Sequence, residues 1–142
     1  MSHRLLAAAT AIAVLLSACA GRPPVRVRSG PATGVVPRPG SEHSGIASWY
    51  GPGYHGKRTA SGERFDQDGL TAAHADWAFG TRVKVTLLST DRSVVVRVND
   101  RFPPFKGRLI DLSRGAAKRI GLIGPGIGPV RLEVLEPASP AD

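Results

Sequence analysis

The chain has 142 residues, 42% of them apolar, which suits one modest globular domain with targeting and linker segments around it. A formal charge of +8 and a pI near 10.8 favour a polyanionic partner (nucleic acid, anionic lipid or cell-wall polymer) without choosing among them. The single cysteine, Cys19, excludes an internal disulfide and a cysteine metal cluster, and 17 Gly with 12 Pro predict many turns.

The first element is an address. Arg4 supplies positive charge, and an apolar run of 12 residues follows from Leu5 to Leu16. A membrane-spanning helix needs about 20 such residues, so this run matches the apolar region of a secretory signal instead. Leu16-Ser17-Ala18-Cys19 resembles the lipobox of bacterial lipoproteins, in which the cysteine is acylated and becomes the mature N-terminus. Residues 1–18 are then the lipoprotein signal peptide. Ala20 stands where an Asp in such lipoproteins directs inner-membrane retention. The resemblance therefore implies a lipid anchor at Cys19 on the periplasmic face of the outer membrane.

Residues 19–44 read as the lipidated cysteine and a linker. Ala20 to Ser44 holds five Pro and four Gly, no aromatic residue and no Leu, Ile or Met, so it cannot bury a core. Fully extended it would reach on the order of 75 Å at ~3.1 Å per residue. Composition changes at Gly45: all eight aromatic residues lie between Trp49 and Phe105. Residues 45–136 carry 14 basic and 9 acidic side chains, a net +5, and form the predicted domain; 137–142 is a polar tail.

Within the domain, Ile46–Tyr50 reads as a short strand closed by Gly51-Pro52-Gly53, and Leu70–Ala73 as another. Arg82–Leu88 alternates as a half-buried strand does. Ser93–Val98 is Val-rich, as a strand buried on both faces would be, with Asp91-Arg92 as the intervening turn. Leu109–Leu112 and Val130–Leu135 are further strands. One helix fits Arg114–Ile120, with Ser113 as N-cap and Gly121 just past its end. The fold class is mostly β, with one or two short helices. Many short strands with Gly and Pro turns favour a small closed barrel, which leaves no exposed sheet edge.

The candidate chemistry concentrates in two segments, Gly56–His74 and Val96–Ser113. Asp100 follows a hydrophobic strand at its C-terminal end, at the rim of such a barrel. Glycan cleavage needs a carboxylic acid to protonate the leaving oxygen, often with a second group opposite. If a substrate hydroxyl attacks and an anhydro sugar forms, one acid/base suffices. Glu63, in a Gly-flanked loop, is the candidate second carboxylate; otherwise it is a solvated loop charge, and Asp100 a turn aspartate or a partner of Arg101. His74 ends an Ala-rich strand and is either structural or catalytic. Asp111 caps the helix start or pairs with an arginine. Trp49, Tyr50, Tyr54 and Trp77 either stack on sugar rings or pack the core. No metal or other cofactor is expected, since His55 and His74 lack ligand-like spacing with a third partner. No nucleotide-binding loop is present.

In combination these segments resemble the rare lipoprotein A family of septal-ring lytic transglycosylases. The carriers are Gly45–Gly51, Thr59–Glu63, Leu70–His74, Phe79-Gly80-Thr81, Val94–Arg101 and Ile110–Ser113. The resemblance implies a six-stranded double-psi β-barrel. It also implies an endolytic transglycosylase that cleaves peptidoglycan between N-acetylmuramic acid and N-acetylglucosamine, leaving 1,6-anhydro-muramyl ends. The family's catalytic positions fall on Asp100, Glu63 and His74. Substrate-binding positions are then expected at Trp49, Tyr50, Thr59, Ser61, Arg101 and Phe102. The partners implied are peptidoglycan glycan strands and membrane lipid through Cys19, with a monomeric chain and no nucleic acid. Two departures stand out. The family has Gly after its Asp-Arg, where this chain has Phe102-Pro103-Pro104-Phe105. Relatives also carry a C-terminal peptidoglycan-binding repeat, and this chain ends at Asp142, so septal targeting by that route is not expected. The alternative reading is an expansin-like module that binds peptidoglycan without cutting it.

Overall fold

The computed structural model describes residues 34–103 and 107–139. The signal segment, Cys19, most of the linker and Phe105 lie outside the described residues. Among the described residues six strands form: β1 (Glu42–Tyr50), β2 (Thr71–Ala73), β3 (Arg82–Leu87), β4 (Arg92–Asp100), β5 (Arg108–Ser113) and β6 (Ile127–Glu136). A single 3₁₀ turn, Pro52–Tyr54, follows β1, and helix α1 (Arg114–Ile120) lies between β5 and β6. The strands close into a barrel in the order β1-β5-β2-β4-β3-β6. β1 runs parallel to β5 and β2 parallel to β4, whereas the other four neighbouring pairs are antiparallel.

The core follows from period-2 alternation. Val83, Val85 and Leu87 of β3 face inward. So do Val94, Val96 and Val98 of β4 and Val130, Leu132 and Val134 of β6. The register sets Val85 opposite both Val94 and Leu132, and Val83 opposite Val96 and Val134, so the branched side chains stack in layers. Ile110 and Leu112 of β5, with Ala47 and Ala72, complete the interior. Full burial of one such side chain contributes about 1.5–3 kcal/mol.

Two expectations are corrected here. β4 is buried on one face rather than two: Arg97 is exposed and Val95 only half-buried, because the barrel interior takes one side of the strand. The domain also begins before Gly45. β1 starts at Glu42. Upstream of it the Val35 N–H donates to the Asp76 carbonyl at 2.6 Å, and the Gly40 N–H to the Val134 carbonyl at 2.8 Å. Backbone pairing of this kind does not need the apolar side chains whose scarcity marked this stretch as linker. The hairpin turn between β3 and β4 forms where expected, with Asp91 in the left-handed region at φ 56°.

Helix α1 has the expected caps. The Ser113 hydroxyl accepts from the Ala116 N–H at 3.2 Å, and Gly121 takes φ 85° with its N–H directed at the last carbonyls. The first turn of α1 is pressed onto the turn at 66–69: the Gly115 N–H donates to the Gln67 carbonyl at 2.8 Å. A Cβ at position 115 would lie 2.4 Å from the Asp68 carbonyl oxygen. Backbone cannot yield as a side chain can, so Gly115→Ala is predicted to destabilise the domain by roughly 1–3 kcal/mol. That loss should override the ~1 kcal/mol gained in helix propensity. Urea midpoints of the two proteins give the comparison, and an equal or higher midpoint for the alanine variant would contradict it.

Candidate active site

The site is built where β4 ends. Opposite β2, Ala72 pairs with Val98 but Ala73 pairs with Asp100, so Asn99 is an extra residue on β4. Such a bulge changes the phase of the strand and re-aims the side chains beyond it. Asp100 thereby points into a cleft of about 340 Å³, lined by Tyr50, Tyr54, Ala73, Arg101, Phe102, Pro103, Arg108 and Asp111 as well. Its Oδ1 accepts two backbone N–H groups, from Arg101 at 2.8 Å and from Ala60 at 2.9 Å. Its Oδ2 accepts from the Tyr50 hydroxyl at 3.3 Å. The two oxygens are thus unlike. Oδ1 is held by the main chain, and Oδ2 is the atom at which a proton can be carried and released.

The Ala60 N–H is delivered by a small flap. Its sides are joined by Gly56 N–H to the Phe65 carbonyl, Phe65 N–H to the Lys57 carbonyl, and Thr59 N–H to the Glu63 carbonyl, each at 2.8 Å. The tip turns through Gly62 at φ 92°, a conformation that favours glycine. Thr59 and Ser61 share a hydrogen bond between hydroxyls at 2.8 Å, and the Ser61 N–H donates to the Asn99 carbonyl. Both belong to the flap: Ser61 holds it against β4, and Thr59 bonds across the flap to the Glu63 carbonyl.

Glu63 anchors that flap. Its carboxylate takes two hydrogen bonds from the Arg97 guanidinium, at 2.9 and 3.2 Å, and one from Asn99 Nδ2 at 2.6 Å. Partial burial pushes the Glu63 carboxyl upward. The hydrogen bonds from Arg97 and Asn99 and the Arg97 charge outweigh this and leave it below the usual carboxylate range. Glu63 does not line the cleft, so the structure joins it to Asp100 through the loop rather than across a shared substrate space. Arg97 and Asn99 were missed as contributors. The signal was available: they occupy alternate positions of β4, opposite in phase to Val96 and Val98, and so share its outer face.

His74 is nearly buried and stacks on Trp77, with ring centroids 4.0 Å apart and planes 9° from parallel. Its Nδ1 accepts the backbone N–H groups of Asp76 and Trp77, both at 3.1 Å. The ring proton therefore belongs on Nε2, which has no hydrogen-bond partner among the described residues. Burial pulls the imidazole down from 6.5 to about 4; Asp76 opposes this, while Arg101 and His43 reinforce it. His74 is thus a neutral donor that shapes the turn behind Asp100, to whose carbonyl its own N–H donates at 3.1 Å.

The aromatic candidates divide. Tyr50 and Phe102 line the cleft, whereas Trp49 packs against the core and is not among the lining residues. One face of Tyr50 is covered by Phe65, at 4.4 Å between centroids and 16° between planes. Phe102 is 8% exposed, beneath the Arg108 guanidinium at 5.3 Å. Its side chain folds into the cleft wall. Arg101 lies over the Phe79 ring at 3.9 Å.

Asp111 was read as structural, and it does pair with an arginine, but it also lines the cleft. It accepts from Arg108 Nε at 2.7 Å and from the Ser48 hydroxyl at 2.5 Å. Residues three apart on a regular strand face opposite ways. A register shift between β1 and β5 makes Leu109 an extra residue and brings Arg108 and Asp111 onto one side. Among the described residues, no group of three or more His, Cys, Asp or Glu side chains is placed to hold a metal ion.

The closed six-stranded barrel, with two parallel pairs and a carboxylate at its mouth, is that of a double-psi β-barrel protein. The family model described as lytic transglycolase matches residues 42–132, and the chain belongs to that family, of the rare lipoprotein A type. A probable endolytic peptidoglycan transglycosylase RlpA from Synechocystis sp. is 62% identical over 92 residues, covering 65% of this chain and 29% of the relative. An endolytic peptidoglycan transglycosylase RlpA from Campylobacter jejuni is 55% identical over 96 residues, covering 68% and 35% respectively. The chain thus spans about a third of the length of these curated relatives. Among solved structures, the Streptomyces papain inhibitor superposes with a TM-score of 0.56 at 20% identity, over 68% of this chain and 96% of the inhibitor. A Clavibacter michiganensis expansin in complex with cellohexaose also gives 0.56, at 23% identity, over 70% and 54%. These two likenesses concern the fold.

Proposed function

We propose that this domain is an endolytic peptidoglycan lytic transglycosylase, which cuts between N-acetylmuramic acid and N-acetylglucosamine and leaves 1,6-anhydro-muramyl ends. The observation that carries this reading is the asymmetric Asp100 carboxyl in the cleft wall, with Oδ1 tied to two backbone N–H groups and Oδ2 met by the hydroxyl of Tyr50, another lining residue. The relatives' names support the same chemistry. In the first half of the reaction, protonated Oδ2 gives its proton to the glycosidic oxygen that leaves with N-acetylglucosamine. In the second half, the same oxygen takes the proton of the muramyl C6 hydroxyl as that hydroxyl closes on C1. No water is consumed, and the acid is regenerated. Glu63 acts through the flap, by holding the Ala60 N–H on Oδ1. His74 holds the turn behind Asp100. Tyr50, Arg101 and Phe102 shape the walls against which the sugars rest, and Thr59 and Ser61 fix the flap edge.

The test is digestion of peptide-stripped glycan strands with the soluble chain from Ala20 onward, with products read by mass spectrometry. Anhydro-muramyl ends are expected. Reducing ends would mean that water attacks instead. No cleavage with retained binding to sacculi would favour the expansin-like binding module. The proposal extends to location: acylated Cys19 would hold the domain at the periplasmic face of the outer membrane. The support is the placement of the sole cysteine three residues after the apolar run, at the end of Leu16-Ser17-Ala18-Cys19. Incorporation of labelled palmitate into the full-length chain, and its loss in Cys19→Ala, would test it.

A further inference from the structure

The Tyr50 ring is fixed more firmly than a sugar-stacking face needs. Phe65, which is 2% exposed, lies parallel against one side, and the Tyr54 ring meets it edge-on at 5.8 Å. This clamp leaves the phenol little rotational freedom and delivers its hydroxyl to Asp100 Oδ2 at 3.3 Å. The contact joins the last residue of β1 to the last residue of β4, 50 positions apart. Oδ1 is already occupied by two backbone donors, so Tyr50 supplies the side-chain hydrogen bond to the oxygen left for chemistry.

We propose that Tyr50 is a positioning residue for the reaction: its hydroxyl orients Asp100 Oδ2 and stabilises the carboxylate that forms when the acid has given up its proton. The proposal rests on the transglycosylase reading for its catalytic consequence, but the hydrogen bond itself can be tested without turnover. A hydroxyl donates more strongly to a carboxylate than to a protonated acid, so the bond tightens as the leaving oxygen takes the proton. It then weakens as the muramyl hydroxyl returns a proton. The phenol gains and loses no proton of its own in this cycle. Burial, followed by the negative charge and hydrogen bond of Asp100, holds its acidity well below that of an ordinary tyrosine. The other groups that bear on Asp100 are Arg101, which follows it, Arg108 and Asp111 from β5, Tyr54 across the cleft, and Glu63 behind the flap.

Tyr50→Phe keeps the ring and its stack on Phe65 and removes only the hydroxyl. The first measurement is the pH dependence of the Asp100 carboxyl carbon by NMR in both proteins. The midpoint is expected to move upward in the variant, as when a donor to a carboxylate is withdrawn. The second is kinetic. The rate of anhydro-end formation is expected to fall about 10-fold, the effect of about 1.4 kcal/mol. Its alkaline limb should move upward with the carboxyl midpoint, and affinity for sacculi should change less than 2-fold. An unmoved carboxyl midpoint would overturn the proposal, whatever the activity. A rate loss with an unmoved alkaline limb would overturn it as well, since that is what simple loosening of the cleft wall produces. If wild-type protein yields no anhydro ends but the midpoint moves, the hydrogen bond stands and the transglycosylase reading fails.

Discussion

Asp100→Asn is expected to reduce the formation of anhydro-muramyl ends by about 10³–10⁴-fold, the upper range for loss of a general acid/base, because one residue here serves both half-reactions. Folding should be nearly untouched. The amide oxygen can still accept the N–H groups of Ala60 and Arg101, and the new NH₂ can donate to the Tyr50 oxygen in place of the present bond. Binding to sacculi should therefore persist. Product counts by mass spectrometry, beside a pull-down of the same variant, separate the two effects. Residual cleavage above a tenth of the wild-type rate would show that Asp100 is not the acid.

The second large effect concerns stability below neutral pH. His74 titrates near 6.5 when unfolded and is held down to about 4 by burial in the fold. Between those values the unfolded chain binds the proton and the folded chain does not, so stability rises with pH. His74's contribution is fully present above pH 6.5, is lost as pH falls toward 4, and is constant below that. At ~1.4 kcal/mol per pH unit, the loss across this window is about 3 kcal/mol. The physical cause is local: to protonate Nδ1, the N–H groups of Asp76 and Trp77 must give up their acceptor inside a stack on Trp77. His74→Asn retains an acceptor at nearly the same point and cannot titrate. Chemical denaturation from pH 4 to pH 8 should therefore show a steep slope for wild type and a flatter one for the variant. Parallel curves would refute the assignment. Glu63 adds in the same direction at lower pH, since its depressed carboxyl contributes stability that is lost as acid protonates it.

Much of the architecture was legible in the chain. The helix and both of its caps at Ser113 and Gly121, the alternation of β3, the turn at Asp91 and the placement of Asp100 at a strand end all depend on neighbours within a few residues. Such neighbours are set by the period of the backbone and by the φ each residue tolerates. Motif order then implied the barrel, and the lytic transglycolase family match agrees with it.

What the sequence left open is what closure of the barrel decides. Ala60 meets Asp100 across 40 positions, Tyr50 meets it across 50, and Ser48 meets Asp111 across 63. No periodicity encodes such distances. The register shifts at Asn99 and at Leu109 have no local mark either, because a bulge exists only against a partner strand. Those shifts turn Asp100 into the cleft and set Arg108 beside Asp111. Pairing of Val35 with Asp76 likewise draws into the fold a stretch whose composition reads as linker. Local sequence thus determined the strands, the helix and the chemical groups on offer. Tertiary structure alone determined that Ala60 of the flap and Tyr50 of β1 meet the two oxygens of Asp100, because only the closed barrel brings those segments together; the other main-chain donor to Oδ1, Arg101, is a sequence neighbour.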